Sequence, residues 1–455
     1  MNIDFLKFSK LDLKVLVVGL LFANIPYWMV FQFNNGDQPL FFFETLILIV
    51  LIQRRPLVGF IFFSLIFVAA VLDLTSKIYY FSDPINFLAS FKYQSNINVL
   101  EFINYQLLLI LCIFVVSGLW LFKYLQSQKN IKLNIVFYSF IIFFIADVMN
   151  VSNAYSFNGM RLINFNIAGS PLKTFFDGAI KINSPRLPLI VRAKGELSDL
   201  VLLAQKNNKN ILVIIVESFG EASDPKVRML LENKLLVSNR KLSDVYLINS
   251  GRIPFYGSTT TAELNTLCML TGNYNNLNDA NTGACIPKNL PSDWQTIGIH
   301  GFTGDMFSRL TWWPQIGLRE SFFGKNIGVG NYRKCGTAFS GACDEDVLSL
   351  AKSKLDGGVN RFVYVLTLNT HLPNLSIEIP NSVYSVCAQT KLNKEGCNFL
   401  ATMAITLEAV NSTLYSVNNK PYIYLVGDHA PPFVNSKSRN EFSQKEVPFY
   451  SFIPR

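Results

Sequence analysis

Residues 210–217 read NILVIIVE, six aliphatic residues in a row closed by a carboxylate. So short a run, rich in β-branched residues and followed closely by Gly220, predicts a strand buried on both faces, the kind that parallel sheets use. Three further runs are built alike: TIGIH at 296–300, RFVYVLTL at 361–368 and PYIYLVG at 421–427. Mixed helical stretches separate them, so residues 206–455 read as an α/β domain with a largely parallel sheet. The residues at the strand ends carry chemistry. Glu217 follows the first strand, His300 ends the second, His371 stands just beyond the third, and Asp428–His429 follow the fourth. Sites in open α/β sheets form beyond the carboxyl ends of the strands. The chain holds only three histidines, and all three belong to this set. One strand-end histidine alone is ordinarily structural. Three of three, beside a Glu and an Asp, mark a site.

The loop GRIPFYGSTTTAEL at 251–264 brings four adjacent hydroxyls, Ser258 to Thr261, ahead of an amphipathic helix expected from about Ala262. Taken alone it reads as a simple N-cap. Beside the strand-end cluster it reads as a nucleophile, held where helix N–H groups and the helix dipole favour a phosphate.

Upstream the composition changes. The whole chain is 50% hydrophobic and only 16% charged, where soluble domains are nearer a quarter charged. The excess lies in residues 1–150, in five apolar runs at 14–33, 39–52, 56–73, 105–122 and 133–149. A helix needs about 20 mostly apolar residues to span a bilayer, with about 17 as the short limit. Four runs meet that limit; the second is short and carries Glu44, read here as a carboxylate near the interface. Lys7, Lys10 and Lys14, then Arg54 and Arg55, then Lys123, Lys129 and Lys132 fall on one side of the membrane only if there are five spans. An odd number places the N-terminus inside and residues 206–455 outside. The first run is too long for a cleaved signal peptide and is expected to stay. Residues 151–205, with several bases broken by Pro171, Pro185 and Pro188, read as a linker of amphipathic helices on the outer membrane surface. The net charge of +9 is explained by these topogenic bases. No basic run interleaves with aromatics, so nucleic acid is not an expected partner, and a monomer is expected.

Cys112 lies in the fourth run and reads as a buried, unpaired small hydrophobe. The other six cysteines all lie in the C-terminal domain, which suggests disulfides in an oxidising compartment. Six cysteines allow 15 connectivities; proximity favours 268–285, 335–343 and 387–397.

Four segments, VESFGEA at 216–222, GSTTTAE at 257–263, NTHLP at 369–373 and GDHAPP at 427–432, resemble the alkaline phosphatase/sulfatase superfamily. Within it the chain is most similar to the membrane-bound branch of lipoteichoic acid synthases and phosphoethanolamine transferases. The resemblance implies an α-helical membrane domain of five spans plus an α/β sulfatase-like extracytoplasmic domain. It implies residence in a bacterial inner membrane, with the catalytic domain in the periplasm. Carried over by position, the metal ligands fall on Glu217, Asp428 and His429, and the threonine nucleophile, itself a ligand, on Thr259. HGFTGDMFSR at 300–309 resembles the synthases' substrate-binding segment, implying contacts from His300, Phe307 and Arg309. His371 matches the histidine of the TxxxH-P segment. CDEDVL and the Cys387/Cys397 segment are closer to the phosphoethanolamine transferases. No histidine follows position 429, so a further downstream histidine ligand used by some of those transferases is missing, and one metal site is expected.

These residue types suit one chemistry. A divalent ion on two carboxylates, an imidazole and a threonine oxygen would lower the hydroxyl's pKa and stabilise phosphoryl charge. Zinc suits the mixed donor set, with manganese the rival. Thr259 would attack a phospholipid donor, expel diacylglycerol and hold phosphoethanolamine or phosphoglycerol as a phosphothreonine ester. A hydroxyl of an envelope lipid or glycan (lipid A, lipopolysaccharide core or surface polysaccharide) would then displace Thr259, with His371 or His300 moving the proton. Arg309 would offer its fork to the phosphate. The competing enzyme is an extracytoplasmic hydrolase. Sulfate is disfavoured because STTTAE lacks the CxPxR or SxPxR context of sulfatases. A catalytically silent lipid-binding protein is disfavoured because every ligand position is filled.

Overall fold

A computed structural model describes residues 10–31, 41–79, 84–90, 98, 105–153, 168–176, 190–191, 195–238, 241–255, 257–327, 332–373 and 377–455. The chain divides into two compact units, residues 1–88 with 103–184, and residues 89–102 with 185–455.

The first unit is helical: α1 (Lys10–Phe31), α2 (Glu44–Arg54), α3 (Pro56–Ile78), α4 (Pro84–Ser90), α5 (Tyr105–Ser127) and α6 (Leu133–Asn153). Its core is made where one side of each long helix meets its neighbours, through Ala23, Tyr27, Ile49, Phe63, Ile66 and Leu121. The opposite sides stay apolar yet exposed, as at Leu57, Val116 and Leu119, which suits contact with lipid rather than water. Three of the five expected spans are long and apolar enough to cross a bilayer: Lys10–Met29, Pro56–Ser76 and Leu108–Ser127. The run at 39–52 yields only the 11-residue α2, because Phe41–Phe42 leaves the helical path to pair with Ala168–Gly169. In α6 the apolar stretch described is Leu133–Ile145, shorter than a span. Glu44 is not a wet interfacial carboxylate. It is buried at the start of α2 and accepts hydrogen bonds from the Ser170 hydroxyl and the Leu172 N–H. Cys112 is unpaired as expected, but it lies on the exposed side of α5 rather than between helices.

The second unit is an α/β domain on a seven-stranded sheet. In chain order its strands are β1 (Ile211–Val216), β2 (Tyr246–Pro254), β3 (Gln295–His300), β4 (Glu320–Phe323), β5 (Arg361–Leu366), β6 (Tyr422–Gly427) and β7 (Glu446–Pro454). They lie side by side as β2-β7-β6-β1-β5-β3-β4. The four strands read from sequence, β6, β1, β5 and β3, are adjacent and parallel, with β4 parallel at the edge. Only β7 is reversed, running antiparallel to both of its neighbours, β6 and β2. All six residues of β1 are buried, as a central strand covered on both faces requires.

Helices flank this sheet. Leu197, Leu200, Val201 and Ala204 of α7 (Glu196–Lys206) and Leu264 and Leu267 of α9 (Thr259–Cys268) pack with Ile211, Val213 and Ile215. Trp312 and Trp313 of α10 (Arg309–Gln315) join the same cluster. A second group packs together, α8 (Pro225–Leu236) on α12 (Lys394–Ser416), and α11 (Asp344–Asp356) on α12 and β5. Residues 196–205, read from sequence as part of the linker, thus contribute to the core of the α/β unit. Residues 154–167, 177–189 and 192–194 of that linker lie outside the described residues. The cysteines pair as proximity suggested: Cys268–Cys285, Cys335–Cys343 and Cys387–Cys397.

Candidate active site and metal centre

The parallel strands place their C-terminal residues in register. Val216 pairs with Gly427, so the segments starting at Glu217 and Asp428 leave the sheet side by side. They come close enough that a Cβ on Gly427 would sit 1.8 Å from the Phe219 carbonyl oxygen, so only glycine fits. Ser218, held at φ 58°, turns its N–H onto Asp428 Oδ1 at 2.7 Å and its hydroxyl onto Glu217 Oε1 at 3.0 Å. The Glu217 N–H donates to Thr367 Oγ1 at 2.9 Å, and the Thr370 hydroxyl donates to the Glu217 carbonyl. Both threonines lie just past β5, so the third strand end braces the first.

Glu217, Asp428 and His429 form the group able to hold a metal ion among the described residues. His429 Nδ1–H donates to the Ala430 carbonyl at 2.9 Å, which leaves the Nε2 lone pair facing the carboxylates. Nε2 lies 3.4 Å from Glu217 Oε1 and 3.3 Å from Asp428 Oδ2. Asp428 Oδ2 is buried and has no hydrogen bond of ordinary geometry. A buried carboxylate oxygen opposite an imidazole lone pair is what a divalent cation satisfies, and two oxygens with one nitrogen suit zinc or manganese. Burial and the Glu217 charge push the Asp428 carboxyl well above its ordinary range. Burial also acts to raise Glu217, but the imidazoles of His371 and His429 and the hydroxyls of Ser218 and Thr259 hold it below that range. The residues present fit a divalent metal.

Thr259 completes the group. Gly257 takes φ 113°, a left-handed turn that favours glycine, and the chain enters α9 through Ser258. The helix starts at Thr259 rather than near Ala262, because the Ser258 carbonyl already accepts from the N–H groups of Thr261 and Ala262. Thr259 is therefore the first helical residue, where no earlier turn supplies carbonyls to the leading N–H groups. Its Oγ1 is 3.2 Å from Glu217 Oε2 and 3.4 Å from His429 Nε2. Ser258 Oγ pairs with Thr260 Oγ1 instead. Of the adjacent hydroxyls, it is Thr259 that meets the ligand group.

The two other histidines stand nearby. His300 is buried at the end of β3 with Nδ1–H on the Leu366 carbonyl at 3.1 Å, and burial, then the Arg309 charge, holds its pKa well down. His371 sets Nδ1–H on the Leu372 carbonyl at 2.8 Å, and its ring lies 3.9 Å from that of Phe339. Burial lowers its pKa, against the pull of Glu217. Arg309 is buried beneath the site, with Phe307 beside its guanidinium at 5.4 Å. Part of its fork is already taken: Nε and Nη2 donate to Glu263 Oε2 at 3.1 and 2.8 Å.

No family model and no curated protein matches the chain. Solved structures do. One is the lipoteichoic acid synthase LtaP from Listeria monocytogenes, at 13% identity over 54% of this chain and 65% of that one, TM-score 0.36. A second is the phosphoglycerol transferase GacH of Streptococcus pyogenes in complex with sn-glycerol-1-phosphate, at 12% identity over 58% and 78%, TM-score 0.35. A third is the C-terminal periplasmic domain of EcEptC from Escherichia coli in complex with Zn, at 12% identity over 54% and 73%, TM-score 0.34. The chain is similar to these structures at 13% identity or less. It spans just under two thirds of the Listeria synthase chain. All three scores are low, so the reading of its reaction rests on the residues of its own site.

Sequence reasoning did not find Ser218, Thr367, Thr370, Glu263 or Tyr364. The first three act on neighbouring backbone and carboxylates, a role that any loop hydroxyl could have. Glu263 carried one usable signal: it lies four residues after Thr259, hence on the same side of a helix.

Proposed function

We propose that this protein transfers a phospholipid head group, phosphoethanolamine or phosphoglycerol, through Thr259 to a hydroxyl of an envelope lipid or glycan. The observation that carries the reading is Thr259 Oγ1 at a helix N-terminus, 3.2 Å from Glu217 Oε2 and 3.4 Å from His429 Nε2. Glu217, Asp428, His429 and Thr259 would hold one divalent ion, zinc before manganese. Bound there, it would lower the pKa of the threonine hydroxyl and stabilise charge on phosphoryl oxygens. Thr259 Oγ1 forms a bond to phosphorus and gives up its proton, while the phosphorus–oxygen bond to diacylglycerol breaks and that oxygen is protonated. The leading N–H groups of α9 favour the phosphate's charge. In the second half the acceptor oxygen bonds to phosphorus, the bond to Oγ1 breaks and Thr259 regains a proton. His371, whose Nδ1–H donates to the Leu372 carbonyl, would take the acceptor's proton. His300, Phe307 and Arg309 would contact the head group and phosphate.

This reading places residues 206–455 outside the cytoplasm, on the periplasmic side of a bacterial inner membrane, as a monomer. The membrane part would cross five times, with α2 and α6 joining the three long helices. The basic clusters at 7–14, 54–55 and 123–132 support that count. The test is diacylglycerol release by the purified full chain in vesicles of phosphatidylethanolamine or phosphatidylglycerol. Release that stops on chelation and returns with zinc or manganese is expected. Absence of release from both lipids would overturn the reading.

A further inference from the structure

One helical turn after the nucleophile lies a buried carboxylate that the proposed transfer does not use. Glu263, on α9 one turn after Thr259, is fully buried. Its Oε2 accepts from Arg309 Nε at 3.1 Å and Nη2 at 2.8 Å. Its Oε1 accepts from Trp313 Nε1 and from the Tyr364 hydroxyl, both at 3.0 Å. Four donor atoms from α10 and β5 thus converge on one carboxylate. Arg309 is itself only 3% exposed, and the backbone bends to deliver it. Phe307 and Ser308, neither of them glycine, both take the left-handed conformation at φ 55° and 56°, and Trp312 Nε1 clamps the Phe307 carbonyl at 3.0 Å. Two successive strained residues persist only where the surroundings enforce them, commonly at functional sites. A buried ion pair adds little net stability over apolar packing, so a role in placing Arg309 accounts for it better. The guanidinium is close enough to Glu217, His300 and His371 to act on each electrostatically.

We propose that Glu263 is a positioning residue: by holding Nε and Nη2 of Arg309, it presents the Nη1 edge to the phosphoryl group at Thr259. The nucleophile and the phosphate clamp are thereby set in one register, since Thr259 and Glu263 are four residues apart on a single helix. The ligand class is a phosphodiester. This inference rests on the head-group transfer reading for its natural substrate, but the clamp would act on any phosphodiester.

The test uses the full chain with two substrates, phospholipid vesicles and bis(p-nitrophenyl) phosphate, and the variants Glu263→Gln, Arg309→Lys and the pair together. Metal content and melting temperature are read beside the rates. Glu263→Gln should lower kcat/KM at least about tenfold, as small displacements of a clamp do, with metal content unchanged. In the Arg309→Lys background, Glu263→Gln should cost little more, because both act through one guanidinium. A wild-type rate for Glu263→Gln, or losses that multiply in the double variant, would overturn the inference. Should Glu263→Gln not fold, Glu263→Asp keeps the charge and withdraws the anchor by one methylene. It should be slow although folded, and a wild-type rate would overturn the inference. Turnover of the chromogenic diester without diacylglycerol release would overturn the lipid reading alone. No turnover of either substrate would overturn both.

Discussion

At the residue scale the account turns on one hydroxyl among four. Ser258, Thr259, Thr260 and Thr261 are adjacent, and residue type alone does not choose between them. Position does, because the register of β1 and β6 brings Glu217 and Asp428 together, and the turn at Gly257 aims Thr259 at them. Thr259→Ala should lower transfer about a thousandfold or more while the melting temperature and metal content hold, as measured by diacylglycerol release and metal analysis. Ser258→Ala should keep transfer. An N-cap loss costs about 1 kcal/mol at most sites, and the Ser258 hydroxyl makes no cap bond here. Glu217→Ala should lose bound metal together with turnover. The cluster of Glu217, Asp428 and His429 was legible because these residues follow apolar strands and histidines are scarce. Glu263 was not, because its partners Arg309, Trp313 and Tyr364 lie 46, 50 and 101 residues away and meet it only in space.

At the scale of elements, strands were easier to read than helix starts. The strands announce themselves by unbroken β-branched runs, whereas α9 begins with three such residues of poor helix propensity, held in place by tertiary contacts. Another element-level device is the N-terminus of α11. Asp344 is buried there and accepts from the N–H groups of Leu368 at 2.8 Å and Asn369 at 3.0 Å, which anchors the segment leading to His371. Burial raises its pKa from the ordinary 3.8 to about 7, against those N–H bonds. A carboxyl raised on folding binds its proton more tightly in the native state. Its contribution is therefore fully present below about pH 4 and is lost as pH rises through about 7. The melting-temperature gap between wild type and Asp344→Asn should shrink from pH 5 to pH 8. A gap independent of pH would mean that Asp344 does not titrate in this window.

At the scale of the whole molecule, three of the five apolar runs form helices long and apolar enough to cross a membrane, whereas the run at 39–52 forms only the 11-residue α2. Phe41 and Phe42 are as apolar as any helix residue, yet they form a two-residue ladder, a tertiary choice that hydropathy does not register. Three spans and five are both odd, so either places residues 206–455 outside. They differ at residue 128, just after α5. An extracytoplasmic reporter fused after residue 205 should be active, and one fused near 128 should be silent if five spans hold. Activity at 128 would leave the three long helices as the spans. Non-reducing peptide mapping should return the three C-terminal disulfides with Cys112 free.

The covalent step is the centre of the account, and mass reads it directly. The full chain is incubated with phosphatidylethanolamine and, separately, with phosphatidylglycerol, without an acceptor, then quenched in acid and analysed as intact protein and as peptides. The account predicts an added phosphoethanolamine or phosphoglycerol group on the peptide carrying Thr259, absent from Thr259→Ala. Diacylglycerol release with no adduct on any hydroxyl of residues 258–261 would contradict it and leave direct attack by water or an acceptor hydroxyl as the mechanism.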